Sequence, residues 1–153
     1  MTVENTATVE TQMLIRRPIR QVFEAFIDPA ITTNFWFTKA TDKLEVGKTV
    51  TWEWEMYGVS TQVLVKEIIQ DKKISIEWDE PATTVDFEFS PLTDETTYVV
   101  IKHYGFNLTG NELIQAIKDN TGGFTTVLDG LKAYLEHNIK LNLIADKFPP
   151  KQE

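Results

Sequence analysis

From Lys48 onward apolar and polar residues alternate with a period of two. Val50, Trp52, Trp54 and Met56 share one phase, against Thr51, Glu53 and Glu55, the pattern of a strand with one buried face. The same alternation sets Ile74, Ile76 and Trp78 against Ser75, Glu77 and Asp79, and Val85, Phe87 and Phe89 against Thr84, Asp86 and Glu88. Over Thr97–Phe106 it sets Val99, Ile101 and His103 against Tyr98, Val100, Lys102 and Tyr104. Residues 60–69 read as a further strand of ambiguous phase, because Val63, Leu64 and Val65 are all apolar. Near the start, Val9, Thr11, Met13 and Ile15 alternate with Glu10, Gln12, Leu14 and Arg16. Gly58, Glu80-Pro81 and Pro91 close strands, and Asp71-Lys72-Lys73 and Thr93-Asp94-Glu95 are short polar turns. Consecutive strands joined this way predict an antiparallel meander.

Three stretches change the period to that of a helix. Ile19, Val22, Phe23 and Phe26 predict a short amphipathic helix over 18–27, with Pro18 at its first position. Pro29 ends it, and Asp28-Pro29 opens a second, shorter helix through about Phe35. Gly110–Asp119 predicts a short helix, followed by a flexible turn at Gly122-Gly123. Phe124, Val127, Leu128, Leu131, Leu135 and Ile139 then form one apolar stripe along a long helix. Thr125, Asp129, Lys132, Ala133, Glu136 and Lys140 fall on its other side. Leu141–Ile144 depart from the stripe, so this helix frays or turns before Pro149-Pro150. The expectation is one α+β domain over 9–144 between loose termini, 1–8 and 145–153, with the sheet curved around the last helix.

Composition narrows the chemistry. The 153 residues fit one domain with a real core. A net charge of −8 argues against nucleic acid and anionic membranes, which reward Lys/Arg clusters. Without cysteine there is no disulfide, thiolate nucleophile or cysteine metal site. The two histidines, His103 and His137, sit on different elements, so a His-rich metal centre is not expected, although carboxylates alone could hold a hard cation; the expectation is no metal site and no cofactor. Residues 1–10 lack the basic and apolar regions of a secretory signal, and no run approaches the roughly 20 apolar residues of a membrane span. The expected location is the cytoplasm.

The aromatic share of 11% carries the functional expectation. An apolar concave face would offer Trp52, Trp54, Trp78, Phe87, Phe89, Ile101 and His103, answered by Phe124, Leu128, Leu131 and Leu135 on the helix. Aromatics with a few polar groups make up a small-molecule site, or they simply fill a core. His103 points inward in phase with Val99 and Ile101, so its imidazole needs a partner: a ligand carbonyl, or a neighbouring Thr or backbone group. Phe35-Trp36-Phe37 cannot all be buried on one face, so at least one should lie at a rim. Trp36 is either a lid over a cavity mouth or a plug between the short helices and the sheet. Asn138 falls in the helix stripe, as a polar pole of the cavity or as a helix-end hydrogen bond; His137 is solvated. Glu53, Glu55, Glu77, Asp79, Asp86 and Glu88 share the convex face, where they serve solubility or docking to a basic partner. No Gly-x-Ser-x-Gly elbow, phosphate-cradling glycine loop or His-Glu-x-x-His motif is present.

Five segments in this order resemble a known family: Arg17–Pro29, Phe35-Trp-Phe37, Ile74-Ser-Ile-Glu-Trp78, Thr97–Phe106 and Gly123–Glu136. Over about residues 9–140 the chain resembles the START-related helix-grip superfamily (the birch-pollen-allergen fold, SRPBCC). Within it the chain is similar to the branch of homologues of the activator of heat-shock protein 90 ATPase. The resemblance implies six or seven curved antiparallel strands, two short helices after the first, a long C-terminal helix, and a cavity between sheet and helix. Members bind lipids, sterols, polyketides or hormones, and some are enzymes. The expected function is non-enzymatic binding of a small, largely apolar ligand, with Trp36 and the residues above as lining. The alternatives are a co-chaperone-like interaction with a chaperone or other protein, or a cyclase- or hydrolase-like enzyme with His103 as base.

Overall fold

The computed structural model describes residues 7–78 and 82–150. Seven strands form one antiparallel sheet: β1 (Thr8–Ile15), β2 (Lys39–Ala40), β3 (Thr49–Trp54), β4 (Val59–Ile69), β5 (Lys73–Trp78), β6 (Thr83–Thr93) and β7 (Thr96–Tyr104). Their order is β1-β7-β6-β5-β4-β3-β2, so every neighbour except β1–β7 is also a neighbour in sequence. Two short helices, α1 (Ile19–Ile27) and α2 (Pro29–Thr32), follow β1, and α3 (Gly110–His137) and α4 (Leu143–Lys147) complete the chain. This is the expected helix-grip arrangement.

Local chemistry explains the element ends. Asp28 caps α2 by accepting from the Ala30 N–H, and Thr32 donates from its hydroxyl to Ala25 O at 2.5 Å, locking α2 onto α1. The turn after α2 sends three consecutive aromatics in different directions. Phe35, Trp36 and Phe37 are therefore all buried, and Phe35 and Trp36 also border a half-open groove, where a rim position was expected. Two strand readings also change. Met56 leaves β3 for a 3-10 turn over Glu55–Tyr57, and β6 runs through Pro91, paired with Thr97 beside a register shift. Pro91 is tolerated there because the strand end is exposed and irregular. The link before Gly47 also contributes the two residues of β2.

The largest difference is α3, a single helix of 28 residues running straight through Gly122-Gly123. Its buried residues are Phe124, Val127, Leu128, Gly130 and Leu131, so everything before Phe124 is uncovered or half-covered. The later half is also fixed by polar contacts to the end of β1. Glu136 Oε2 accepts from the Arg16 N–H at 2.9 Å, Arg17 donates to Glu136 O at 2.8 Å, and Lys132 Nζ donates to Leu14 O at 2.9 Å. Burial opposes the charge on Glu136, but the hydrogen bonds from Lys132 and Arg16 outweigh it and hold the carboxyl below its usual range. Glu136 is thus a tie to the sheet rather than part of a solvated face. Asn138 caps α3 in the left-handed conformation and is exposed, and Ile139 beyond it is 49% exposed; neither belongs to the interior. Tyr57 holds the following stretch, its hydroxyl 2.6 Å from Phe148 O and 3.0 Å from Ile144 O.

Glycine inside a helix costs about 1 kcal/mol against alanine. A Cβ at Gly123 would meet nothing within 4 Å, and its φ is not positive. Gly123→Ala is therefore expected to raise stability by about 0.5–1 kcal/mol, measured by urea unfolding. A loss instead would mean that the helix does not run through this pair.

Candidate functional site

The inner face of the sheet and the middle of α3 meet in a cluster of aromatic rings. Trp36 is its hub, with ring centroids 4.9 Å from Trp52, 6.0 Å from Trp78, 6.0 Å from Phe87 and 5.9 Å from Phe124. Phe37 stacks on Trp52 at 4.5 Å. Trp36 is therefore packed as a plug, although one edge also touches a half-open groove of about 80 Å³ shared with Asn34, Met56, Gly130, Leu141 and Ile144. Among the other expected lining residues, Trp52, Phe87, Phe89, Ile101, His103, Phe124, Leu128 and Leu131 are buried. Trp54, Trp78 and Leu135 are half-buried against the same core. Phe89 packs with Phe23 and Phe26 under α1, away from His103.

His103 lies at the other end of the cluster, boxed by Phe106 at 4.6 Å, Phe124 at 5.6 Å and Trp78 at 5.9 Å. Its Nε2 is 2.7 Å from Thr83 Oγ1 and 3.3 Å from Trp78 Nε1. Indole N–H can only donate, and a hydrogen on Nε2 would meet it head-on. Nε2 therefore keeps its lone pair, Thr83 and Trp78 both donate towards it, and the neutral ring carries its hydrogen on Nδ1. Burial drives the pKa down to about 4, weakly opposed by a polar approach of the Asn120 side chain on α3 that falls outside hydrogen-bond geometry, so the ring is neutral at pH 7. Asn120 Nδ2 is itself committed to Ala116 O at 2.9 Å.

Two buried side-chain polar atoms have no hydrogen-bond partner among the described residues: His103 Nδ1 and Thr11 Oγ1. They are neighbours. Val9 pairs with His103 and Thr11 with Ile101 across β1 and β7, so Thr11 and His103 share the inner face as a diagonal pair. Sequence reading found His103 but passed over Thr11, Thr83 and Asn120. The signal for Thr11 was present, since it is the one polar residue in phase with Val9, Met13 and Ile15. Nothing in the sequence places Thr83 or Asn120 beside His103, because that needs the β5–β6 turn and the path of α3.

The outer face is not the plain acidic surface that the alternation implies. Lys102 pairs with Glu88 at 3.0 Å, Lys73 with Glu67 at 3.2 Å and Lys66 with Glu77 at 3.2 Å. Asp86 is buried, accepting from Ser75 Oγ at 2.6 Å and Tyr104 OH at 2.8 Å. Burial and then the Asp86 carboxylate push the Tyr104 phenol up to about 12. Asp79 lies outside the described residues. No group of three or more His, Cys, Asp or Glu among the described residues is placed to hold a metal ion, and no described helix is long and apolar enough to cross a membrane.

Comparison with known proteins now bears on this geometry. The chain resembles the protein SSP2350 from Staphylococcus saprophyticus, at 26% identity and a TM-score of 0.79, over 88% of this chain and 96% of that one. The protein MLL2253 from Mesorhizobium loti aligns at 19% identity and a TM-score of 0.74, over 87% and 99% of the two chains. The Aha1 dimer from Colwellia psychrerythraea, known from its solution structure, aligns at 16% identity and 0.73, over 86% and 98%. No curated protein matches the chain. The family model described as Activator of Hsp90 ATPase homolog 1-like protein matches residues 16–136, well over half the length, and the chain belongs to that family, with the helix-grip fold of the START-like SRPBCC superfamily.

Proposed function

We propose that this protein binds a small, largely apolar molecule between the sheet and the first half of α3, without catalysing its conversion. The observation that carries this reading is the coincidence of three features at one end of the fold. The helix buries no residue before Phe124; Trp78 from the sheet, Phe106 just beyond β7 and Phe124 from α3 surround His103; and two buried polar atoms there lack partners among the described residues. Aromatic walls with a few unsatisfied polar groups are what an orienting ligand site requires. Affinity would come from apolar burial, at about 25 cal/mol per Å². Among the described residues no carboxylate is hydrogen-bonded to His103, which speaks for orientation rather than base catalysis.

Titration of the ¹⁵N-labelled protein with a panel of uncharged lipophiles, alongside native mass spectrometry, tests this. Expected are 1:1 adducts and amide shifts centred on His103, Phe106, Asn120 and Phe124. A panel without any binder, or shifts confined to the groove beside Trp36, would sink the reading.

The family description motivates a second reading, a co-chaperone-like contact with a heat-shock protein 90 ATPase. The charge pairing of the outer face argues against simple acidic docking there. Measuring ATP hydrolysis by the cognate chaperone with and without this protein decides the matter; unchanged hydrolysis together with no co-purification removes it.

A further inference from the structure

We propose that the His103 Nδ1–H and the Thr11 hydroxyl form a two-point anchor for one carbonyl oxygen of an uncharged, otherwise apolar ligand. This rests on the ligand-binding reading and narrows its chemistry from any apolar molecule to a ketone, ester or amide.

The argument is an accounting of polar hydrogens. Trp78 and Thr83 occupy the lone pair of Nε2, which leaves Nδ1–H as a buried donor without an acceptor. Thr11, 4% exposed, adds a second unpartnered group on the adjoining strand. Diagonal neighbours across an antiparallel pair lie about 7–8 Å apart at the backbone, a span that the His103 ring, the Thr11 hydroxyl and one bridging oxygen would close. A carbonyl oxygen has two lone pairs and no hydrogen of its own, so it satisfies both donors and leaves nothing unpaired. An alcohol adds a third hydrogen, so either its own or that of Thr11 is left unpaired. A carboxylate would bring a full charge into a site walled by Phe106, Phe124 and Ile101 beside a neutral imidazole, and such burial is costly without a cation. The described titratable side chains of β1 and β7, Glu10, Lys102 and Tyr104, lie in the opposite phase and face outward. The apolar walls suit a flat ring system, since Trp78 and Phe124 lie 5.8 Å apart and tilted by 34°.

The test uses two bicyclic probes of nearly equal size, 1-tetralone and tetralin, with 1-naphthoate as the charged arm. Affinities are read by NMR titration at pH 7, and the His103 ring nitrogens are followed by long-range ¹H–¹⁵N correlation. The expected result is tetralone binding about 10-fold tighter than tetralin, the value of one net hydrogen bond or slightly more, and tighter than naphthoate. The free protein should show Nδ1–H, and its signal should move with tetralone and not with tetralin. Thr11→Val keeps the shape and removes the hydroxyl. It is expected to fold with a raised Tm, to bind tetralin unchanged, and to lose most of the tetralone preference. Equal affinities for tetralone and tetralin, an unchanged preference in Thr11→Val, tighter naphthoate binding, or a hydrogen on Nε2 would each overturn the anchor while leaving the cavity reading intact. Failure of both tetralin and tetralone to bind would overturn the cavity reading, and the anchor with it.

Discussion

Truncating Trp52 to alanine is expected to destabilise the protein by about 3–5 kcal/mol, the range for emptying a packed aromatic site. Trp52 is 2% exposed, stacked face to face on Phe37 and met edge-on by Trp36 and Trp78. The three rings around it are held by one another and by the rest of the core, which limits how far they can collapse into the gap. Domains of this size are stable by about 5–15 kcal/mol in total, so the variant should be marginal at 37 °C. Urea unfolding with an unchanged m-value measures the loss directly. Trp54→Ala, half-buried at the same strand end, is the comparison and should cost distinctly less. The value also bears on function. If Trp52→Ala costs under about 1.5 kcal/mol, below the usual price of such a truncation, this end of the ring cluster is already hollow, and the ligand space extends towards Trp36.

That distinction marks the boundary of what the sequence makes legible. Strand phases read correctly wherever alternation was clean, as for Ile74, Ile76 and Trp78 or Val99, Ile101 and His103, because a two-residue period assigns faces without knowledge of partners. The path of the helix across the glycine pair was not legible. Gly122-Gly123 weakens a helix by propensity, yet tertiary contacts on one side and continuous backbone hydrogen bonding carry α3 through it. Phe35-Trp36-Phe37 was half legible for a related reason: Phe35 and Trp36 do border an opening, but burial on one face constrains only a strand or helix, and this segment is a turn that buries all three. Asp86 shows the converse error. Its phase is outward, as read, but Tyr104 and Ser75 reach over it from the two adjacent strands and bury it. Side-chain length from a neighbouring strand overrides phase, and no single-strand pattern contains it. For the candidate site, the aromatic walls were legible as composition in phase. The polar pair was only half legible, because an unsatisfied atom is defined by everything that fails to approach it.

His103 supplies the second large effect, a dependence of stability on pH that one substitution should remove. Unfolded, the imidazole titrates near its ordinary 6.5; folded, burial holds it near 4. Between those values the unfolded chain binds a proton that the native ring refuses, so stability falls as pH falls. The full contribution is present above about 6.5 and is lost as pH drops through about 4. A separation of this size corresponds to about 3 kcal/mol at 1.36 kcal/mol per pH unit, and the ring is fully buried, so solvent screening does not reduce it appreciably. Glu136, held below its usual range, adds to acid destabilisation from the ordinary carboxylate pKa downward, which overlaps the acid end of this span and is common to both proteins. Unfolding free energies at pH 7.5, 6, 5 and 4 for the native chain and for His103→Gln therefore separate the two. Gln is uncharged throughout and keeps a polar end for Thr83. The native chain should lose about 3 kcal/mol over that span beyond what His103→Gln loses; parallel curves would mean that the imidazole is already protonated or solvated in the folded state. The same measurement in the presence of 1-tetralone ties stability to the site. A carbonyl accepts from Nδ1–H whether or not Nε2 is protonated, so it should raise the native curve at every pH and raise that of His103→Gln distinctly less.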